Sequence, residues 1–160
     1  MTANHFKLDD FEIGGRRSFI IAEVGNNHNG SLDRAVQLID AAKSSGADCV
    51  KFQMRDLKHL YRGKSLLGSP DDLNTEYTLD LLKRFNLTTG QHKTLFDYCK
   101  SVKVLYLCTP WEEESVCVLE EFGVRAYKVA SADLTNLNLL DRIGRTKKPL
   151  FLSTGMSSSE

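Results

Sequence analysis

FIIAEVGNNHNGSLDRAVQLIDAAKSSGADCVKFQM, residues 19–54, decides the fold of this chain. An apolar run over 19–25 closes on a glycine, and Ser31 then stands where a helix N-cap belongs. Leu32, Ala35, Val36, Leu38, Ile39 and Ala42 recur at helical spacing until Gly46 interrupts them. A second apolar run, 49–54, follows at once. Strand, loop, helix and strand in that order make a βαβ crossover, the connection that joins parallel neighbours.

The same alternation continues downstream. Helical periods are predicted over 77–85 and 91–102, then a third strand over 104–109 closed by Pro110 and a helix over 112–122. A fourth strand over 126–131, a helix over 136–145 and a fifth strand over 149–154 complete the series. Strands alternating with helices specify an α/β protein with an all-parallel sheet, either doubly wound or closed as a (β/α)8 TIM barrel. Polar residues end most of the strands and are not gathered at one switch point, which favours the barrel. A complete barrel takes about 250 residues and eight strands, so the expectation is its first five β/α units only, over 19–160, with 1–18 as a lead-in segment. Ser157, Ser158, Ser159 and Glu160 look like the cap of a further helix. Five strands cannot close, so the chain alone is expected to be marginally stable or prone to aggregate through its open edges.

Side chains alternate faces along a strand. Phe19, Ile21 and Glu23 therefore share one side, as do Cys49, Lys51 and Gln53, then Leu105, Leu107 and Thr109, and finally Phe151 and Ser153. In each set an apolar lower position gives way to a polar upper one, as a barrel with a packed floor and a chemical mouth requires. Lys128 joins the ring on the fourth strand, with Ser131 just beyond it. Local ion pairing, Glu23 with Lys51 for instance, is the plainer reading of any single residue. For the whole set it falls short, because two lysines face one obvious carboxylate and a buried ammonium needs compensation. An anionic ligand is implied, held by Lys51, Lys128, Thr109, Ser131 and Ser153.

Composition narrows the function. In 160 residues, 41% hydrophobic and 26% charged, 21 basic and 21 acidic side chains cancel, and no basic tract offers a phosphate-backbone footprint. Nucleic acid is not an expected partner. No apolar stretch approaches a membrane span and the start MTANHFKLDD lacks a secretory pattern, so a cytoplasmic location is expected. Cys49, Cys99, Cys108 and Cys117 include no CxxC pair, which fits free thiols in a reducing compartment. No glycine-rich nucleotide motif occurs.

Other residues invite two readings each. His28, in the polar loop Gly25-Asn26-Asn27-His28-Asn29-Gly30, either contacts substrate or shapes the turn. Trp111 either walls the pocket or packs. His5, His59 and His92 lack metal-ligand spacing and read as surface histidines. Glu112 to Glu114 read as support for a helix start through its dipole.

The segments IAEVGNNHNGSLDRAVQLIDAAKSSGADCVKFQ, LCTPWEEESV, AYKVASADLTNLNLL and PLFLSTGMSSSE resemble the N-terminal half of the sialic acid synthases. QMRDLKHLYRG and NTEYTLDLL are closer to bacterial members. The resemblance implies condensation of phosphoenolpyruvate with the open-chain aldehyde of an N-acetylated hexosamine, of N-acetylmannosamine type, with release of phosphate. It assigns Lys51, Thr109, Lys128, Ser131 and Ser153 to the phosphate and carboxylate of phosphoenolpyruvate, and Glu23 and Gln53 to the sugar and reacting centre. It also implies a divalent metal, Mn or Mg, whose histidine ligands lie on strands outside this chain, and an antifreeze-like domain that completes a homodimer. The 160-residue chain alone is therefore expected not to turn over. Two alternatives stand beside this one. A synthase of the 3-deoxy-manno-octulosonate 8-phosphate type would need a second basic cluster, for which Arg55, Lys58, Arg62 and Lys64 are the candidates. A half-barrel remnant without catalysis would show decay of the polar ring, which is intact.

Overall fold

The computed structural model describes residues 6–56, 81–155 and 157–158. Phe6–Leu8 (β1) and Phe11–Ile13 (β2) pair as an antiparallel hairpin. Ile21–Glu23 (β3), Cys49–Met54 (β4), Leu105–Pro110 (β5), Tyr127–Val129 (β6) and Leu150–Leu152 (β7) form one parallel sheet in sequence order. Leu32–Ser44 (α1), Thr89–Val102 (α2), Glu113–Phe122 (α3) and Leu137–Gly144 (α4) connect the strands. Residues 81–85 are also helical, and the remainder of the helix expected over 77–85 lies outside the described residues.

Local chemistry sets the helix starts. Ser31 Oγ accepts from the Arg34 N–H to cap α1. Thr88 and Gln91 form a reciprocal capping box ahead of α2, and Asn136 Oδ1 accepts from the Leu139 N–H to cap α4. Each side chain satisfies donors that a helix N-terminus leaves without intrahelical acceptors.

The two faces of the sheet do different work. Val50, Phe52, Met54, Tyr106, Cys108, Tyr127 and Val129 point outward and pack under the helices with Ile39, Leu95, Val116, Leu119 and Ile143, all buried. Cys49, Leu107 and Ala126 point inward and are joined by Ile21, Leu105 and Phe151. Phe19, just ahead of β3, stacks on Phe151 of β7 with centroids 6.0 Å apart and planes 9° from parallel. A contact between side chains of the first and fifth strands requires the sheet to curl strongly. The architecture is the first five strands of a (β/α)8 barrel, a half-barrel. Its edges are open: Ile20 beside β3 and Leu150 and Leu152 on β7 are 49%, 38% and 45% exposed.

Several boundaries shrink relative to the sequence expectation. The fourth strand, expected over 126–131, ends at Val129 because Ser131–Asp133 turns as a 3₁₀ helix. The first and fifth strands pair only over Ile21–Glu23 and Leu150–Leu152, as edge strands do where the neighbour supplies a ladder on one side alone.

The larger difference is the hairpin inside the segment read as a lead-in. FKL and FEI flank Asp9 and Asp10, with Asp9 at φ 53°, a left-handed geometry that aspartate tolerates. Leu8, 4% exposed, packs with Cys49, Leu107 and Ala126, while Phe11 meets Phe19 edge-on at 4.8 Å. Ion pairs of Asp9 with Arg125 at 2.7 Å and of Arg17 with Asp48 at 2.5 Å tie this region to the sheet. The interior therefore has a floor that the strand count alone did not supply.

The loop from β3 to α1 is held by a close approach. Gly30 sits at φ 77°, and a Cβ there would lie 2.5 Å from the backbone oxygen of Arg84. Gly30→Ala is expected to cost about 1–3 kcal/mol through strain and displacement. Urea denaturation of the full-length protein measures it, and a loss under about 0.5 kcal/mol would contradict the packing described.

Candidate functional site

The carboxyl ends of the strands carry the polar ring. Glu23 and Lys51 are opposite in the β3–β4 register, and Lys51 Nζ lies 2.6 Å from Glu23 Oε2. The pair is asymmetric: the Lys51 side chain is 11% exposed and that of Glu23 is 53% exposed. The ammonium is sunk in the interior while its carboxylate sits at the water's edge. The N–H groups of Val24 and Gly25 both donate to the Lys51 carbonyl at 3.0 Å, turning the chain sharply out of β3. Gly25, at φ 50°, permits this turn, and a Cβ at that position would crowd Glu23 Oε1 at 3.0 Å.

Gln53 is opposite Thr109 in the β4–β5 register, and Thr109 is buried. On the other side, Lys128 Nζ donates to Ser153 Oγ at 2.6 Å and to the Val129 carbonyl at 2.5 Å. The Ser153 N–H in turn donates to the Val129 carbonyl at 3.1 Å, which keeps the chain beside β6 after β7 ends. Ser131 opens the 3₁₀ turn, and Gly155 approaches it closely enough that a Cβ there would lie 3.7 Å from Ser131 Oγ. Burial, then repulsion from Lys51, pushes the Lys128 ammonium below its usual pKa, with Glu23 opposing. The two lysines thus feel each other's charge. Lys128 makes its bonds to neutral oxygens, and Glu23 is the carboxylate both ammonium groups face.

Residues with two readings resolve by geometry. His28 is buried; its Nδ1 accepts from the Gly30 N–H at 3.1 Å, and a hydrogen bond to the Gly25 backbone opposes the fall in pKa that burial causes. Its ring shapes the loop. Trp111 lies at the mouth under the Arg55 guanidinium, 4.5 Å from ring centroid to carbon. Glu112 stands at the N-cap of α3 but makes no capping bond with its side chain. Its carboxylate accepts instead from the Asp56 N–H at 3.0 Å and from the Ser115 hydroxyl, which moors the exit of β4. Burial raises its pKa.

His92 corrects the sequence reading. It is fully buried, not on the surface, because the fourth residue of α2 faces β5, where its Nδ1 lies 2.8 Å from the Tyr106 hydroxyl. His5 and His59 lie outside the described residues, as do Lys58, Arg62 and Lys64.

One residue at the mouth escaped the sequence reading. Asp133, two positions past Ser131, is 8% exposed, and its Oδ2 is buried without a hydrogen bond. Burial raises its pKa and a bond to Asn136 opposes the rise. Period-two reasoning could not reach it, because the chain has left the strand for a 3₁₀ turn.

The resemblance places the histidine ligands of its divalent metal outside this chain. Among the described residues no group of three His, Cys, Asp or Glu side chains could hold one; His28 is engaged by Gly30 and His92 by Tyr106. Cys49, Cys99 and Cys108 are buried free thiols and Cys117 is an exposed one. Among the described residues no helix is long and apolar enough to cross a membrane.

A curled parallel sheet with its ammonium groups, carboxylates and hydroxyls at the strands' carboxyl ends belongs to the β/α-barrel class, which places its chemistry there. The chain belongs to the NeuB family, which residues 38–160 match. It is 38% identical over 147 residues to the N,N'-diacetyllegionaminic acid synthase of Campylobacter jejuni, covering 89% of this chain and 44% of that protein. It is 32% identical over 152 residues to the N-acetylneuraminate-9-phosphate synthase of Mus musculus, covering 92% of this chain and 42% of that protein. The crystal structure of the N-acetylneuraminic acid synthetase of Leptospira borgpetersenii superposes with a TM-score of 0.85 at 28% identity, over 98% of this chain and 52% of that one. The chain spans less than half the length of the curated relatives it matches. Those relatives are synthases of sialic-acid-type sugars.

Proposed function

We propose that the full-length protein condenses phosphoenolpyruvate with an N-acetylated hexosamine of mannosamine type to give a nonulosonic acid and inorganic phosphate. The observation that carries this reading is the mouth's charge imbalance. Among the described residues Lys51, sunk in the barrel, and Lys128, bonded to neutral oxygens, share the half-exposed Glu23 as their carboxylate neighbour. Phosphoenolpyruvate would bring a phosphate and a carboxylate to those ammonium groups. Each well-made charge-assisted bond from Lys51, Lys128, Thr109, Ser131 or Ser153 would add roughly 1.5–3 kcal/mol.

In the proposed reaction the methylene carbon of phosphoenolpyruvate attacks the aldehyde carbon and the aldehyde oxygen takes a proton. Water adds to the resulting cation at C2, and the tetrahedral intermediate expels phosphate. Lys51 and Lys128 hold the anionic end throughout. Glu23, beside Lys51 and open to water, is placed to take the proton from the attacking water. Gln53 faces the acceptor sugar. A divalent metal, as the family resemblance implies, would polarise the aldehyde from ligands beyond this chain. A homodimer and a cytoplasmic location complete the proposal.

The octulosonate-type alternative loses one of its four cations, since Arg55 is engaged by Gln53, Asn26 and Trp111. The test is phosphate release by the full-length protein with phosphoenolpyruvate and one acceptor at a time. Turnover with N-acetylmannosamine or a diacetamido hexose supports the proposal. Turnover with arabinose 5-phosphate alone would establish the alternative, and none with any acceptor would favour a binding role.

A further inference from the structure

The exit of β4 carries an arrangement that the anion ring does not use. Arg55, two residues past Gln53, lays its guanidinium over the Trp111 ring, where cation–π attraction holds it. Its Nη2 donates to Gln53 Oε1, and its Nη1 reaches Asn26 Oδ1 at 3.4 Å in the loop after β3. The backbone around it is pinned. Asn86 Nδ2 donates to the Arg55 carbonyl at 3.1 Å, and the Trp111 N–H donates to the Met54 carbonyl at 3.2 Å. The next residue, Asp56, gives its N–H to Glu112.

Chemistry then dictates which way the Gln53 amide faces. A guanidinium has five N–H donors and no acceptor, so it can meet the amide only at oxygen. An amide turned over would set its own N–H₂ against those donors. With Oε1 held by Arg55, Nε2 points the opposite way, above Gly25. A Cβ on Gly25 would lie 3.5 Å from Gln53 Nε2 and 3.0 Å from Glu23 Oε1, so amide nitrogen and carboxylate border the same space.

We infer that Arg55 is a positioning residue that locks the Gln53 amide with its N–H₂ toward Glu23. Gln53 then enters the mouth as a donor and reads an accepting oxygen on the acceptor substrate. The substrate half of this statement rests on the proposed condensation; the amide lock does not. In this reading Arg55 acts on the reaction through the orientation of Gln53.

Two measurements on the full-length protein separate the lock from the reaction. The first follows the side-chain amide of Gln53 by 1H–15N correlation in glutamine-labelled protein, its signal assigned by its disappearance in Gln53→Glu. Arg55→Met is expected to move that signal and to speed exchange between its two protons, whatever the enzyme turns over. An unmoved signal would overturn the lock. The second compares steady-state constants. In Arg55→Met, kcat/KM for the acceptor sugar is expected to fall roughly tenfold to a hundredfold, while KM for phosphoenolpyruvate stays within about twofold. Arg55→Lys, which keeps a charge but loses the planar fork, is expected to retain only part of the acceptor selectivity. Equal losses for both substrates would mark a merely structural role and overturn the inference. A wild-type protein inactive with every acceptor would defeat the proposed function while the amide signal still decides the lock.

Discussion

Lys128→Met in the full-length protein is expected to lower kcat/KM for phosphoenolpyruvate by roughly a hundredfold to a thousandfold, the usual loss when one side of a desolvated charge pair is removed. The argument is electrostatic. Without ligand, the Lys128 ammonium is disfavoured by burial and by Lys51, and its hydrogen bonds go to a hydroxyl and a backbone carbonyl. An arriving phosphate or carboxylate converts an unfavourable charge into a favourable one. The same reasoning sets the control, because deleting a group that the apo protein holds at a cost should leave the melting temperature unchanged or raised. Steady-state kinetics in phosphoenolpyruvate, titration calorimetry for its binding and a thermal melt measure these effects. A variant that binds phosphoenolpyruvate normally would remove Lys128 from the anion site, and one that merely melts early would make it a structural residue.

Stability should fall steeply with acid, and His92 should account for much of the slope. Burial, with a smaller push from His28, lowers its pKa from 6.5 to about 4. Because the folded value is depressed, the unfolded chain binds the proton first. The histidine therefore costs nothing above pH 6.5, and stability is lost as pH falls from there towards about 4. One proton over that window amounts to roughly 3 kcal/mol. The neutral ring fits its site: Nδ1–H can donate to the Tyr106 hydroxyl while Nε2 remains a buried lone pair without a donor. His28, also lowered by burial, adds to the loss in the same direction. Urea midpoints of the full-length protein between pH 7 and 4 should show this slope, and His92→Gln should shallow it by up to one proton. Parallel pH curves for the two proteins would mean that the ring titrates normally.

Much of the half-barrel is legible because strand geometry forces it. Once 49–54 reads as a strand, alternation alone puts Lys51 and Gln53 on the face of Cys49, and the structure has Cys49 inside with Leu107 and Ala126. The helix cap at Ser31 follows from equally local chemistry. What escaped was set by contacts between distant segments. The hairpin has strands of three residues around an Asp-Asp turn, too short to announce themselves, and it is stable because Leu8 and Phe11 find the barrel floor. His92 reads as a surface residue until α2 is docked on β5. Arg55 looks like one charge in a basic loop until Trp111, from the loop after β5, arrives beneath it. Side-chain direction within a strand is a local property, whereas the pairing of loop side chains belongs to the assembled mouth.

The hairpin has a practical consequence. It seats at the amino ends of the strands, with Phe6 against Phe151 and Leu8 under Cys49, whereas Lys51, Thr109 and Lys128 line the carboxyl ends. A fluorophore attached at the exposed Asp10 of the hairpin turn would sit at the end of the sheet away from the chemistry.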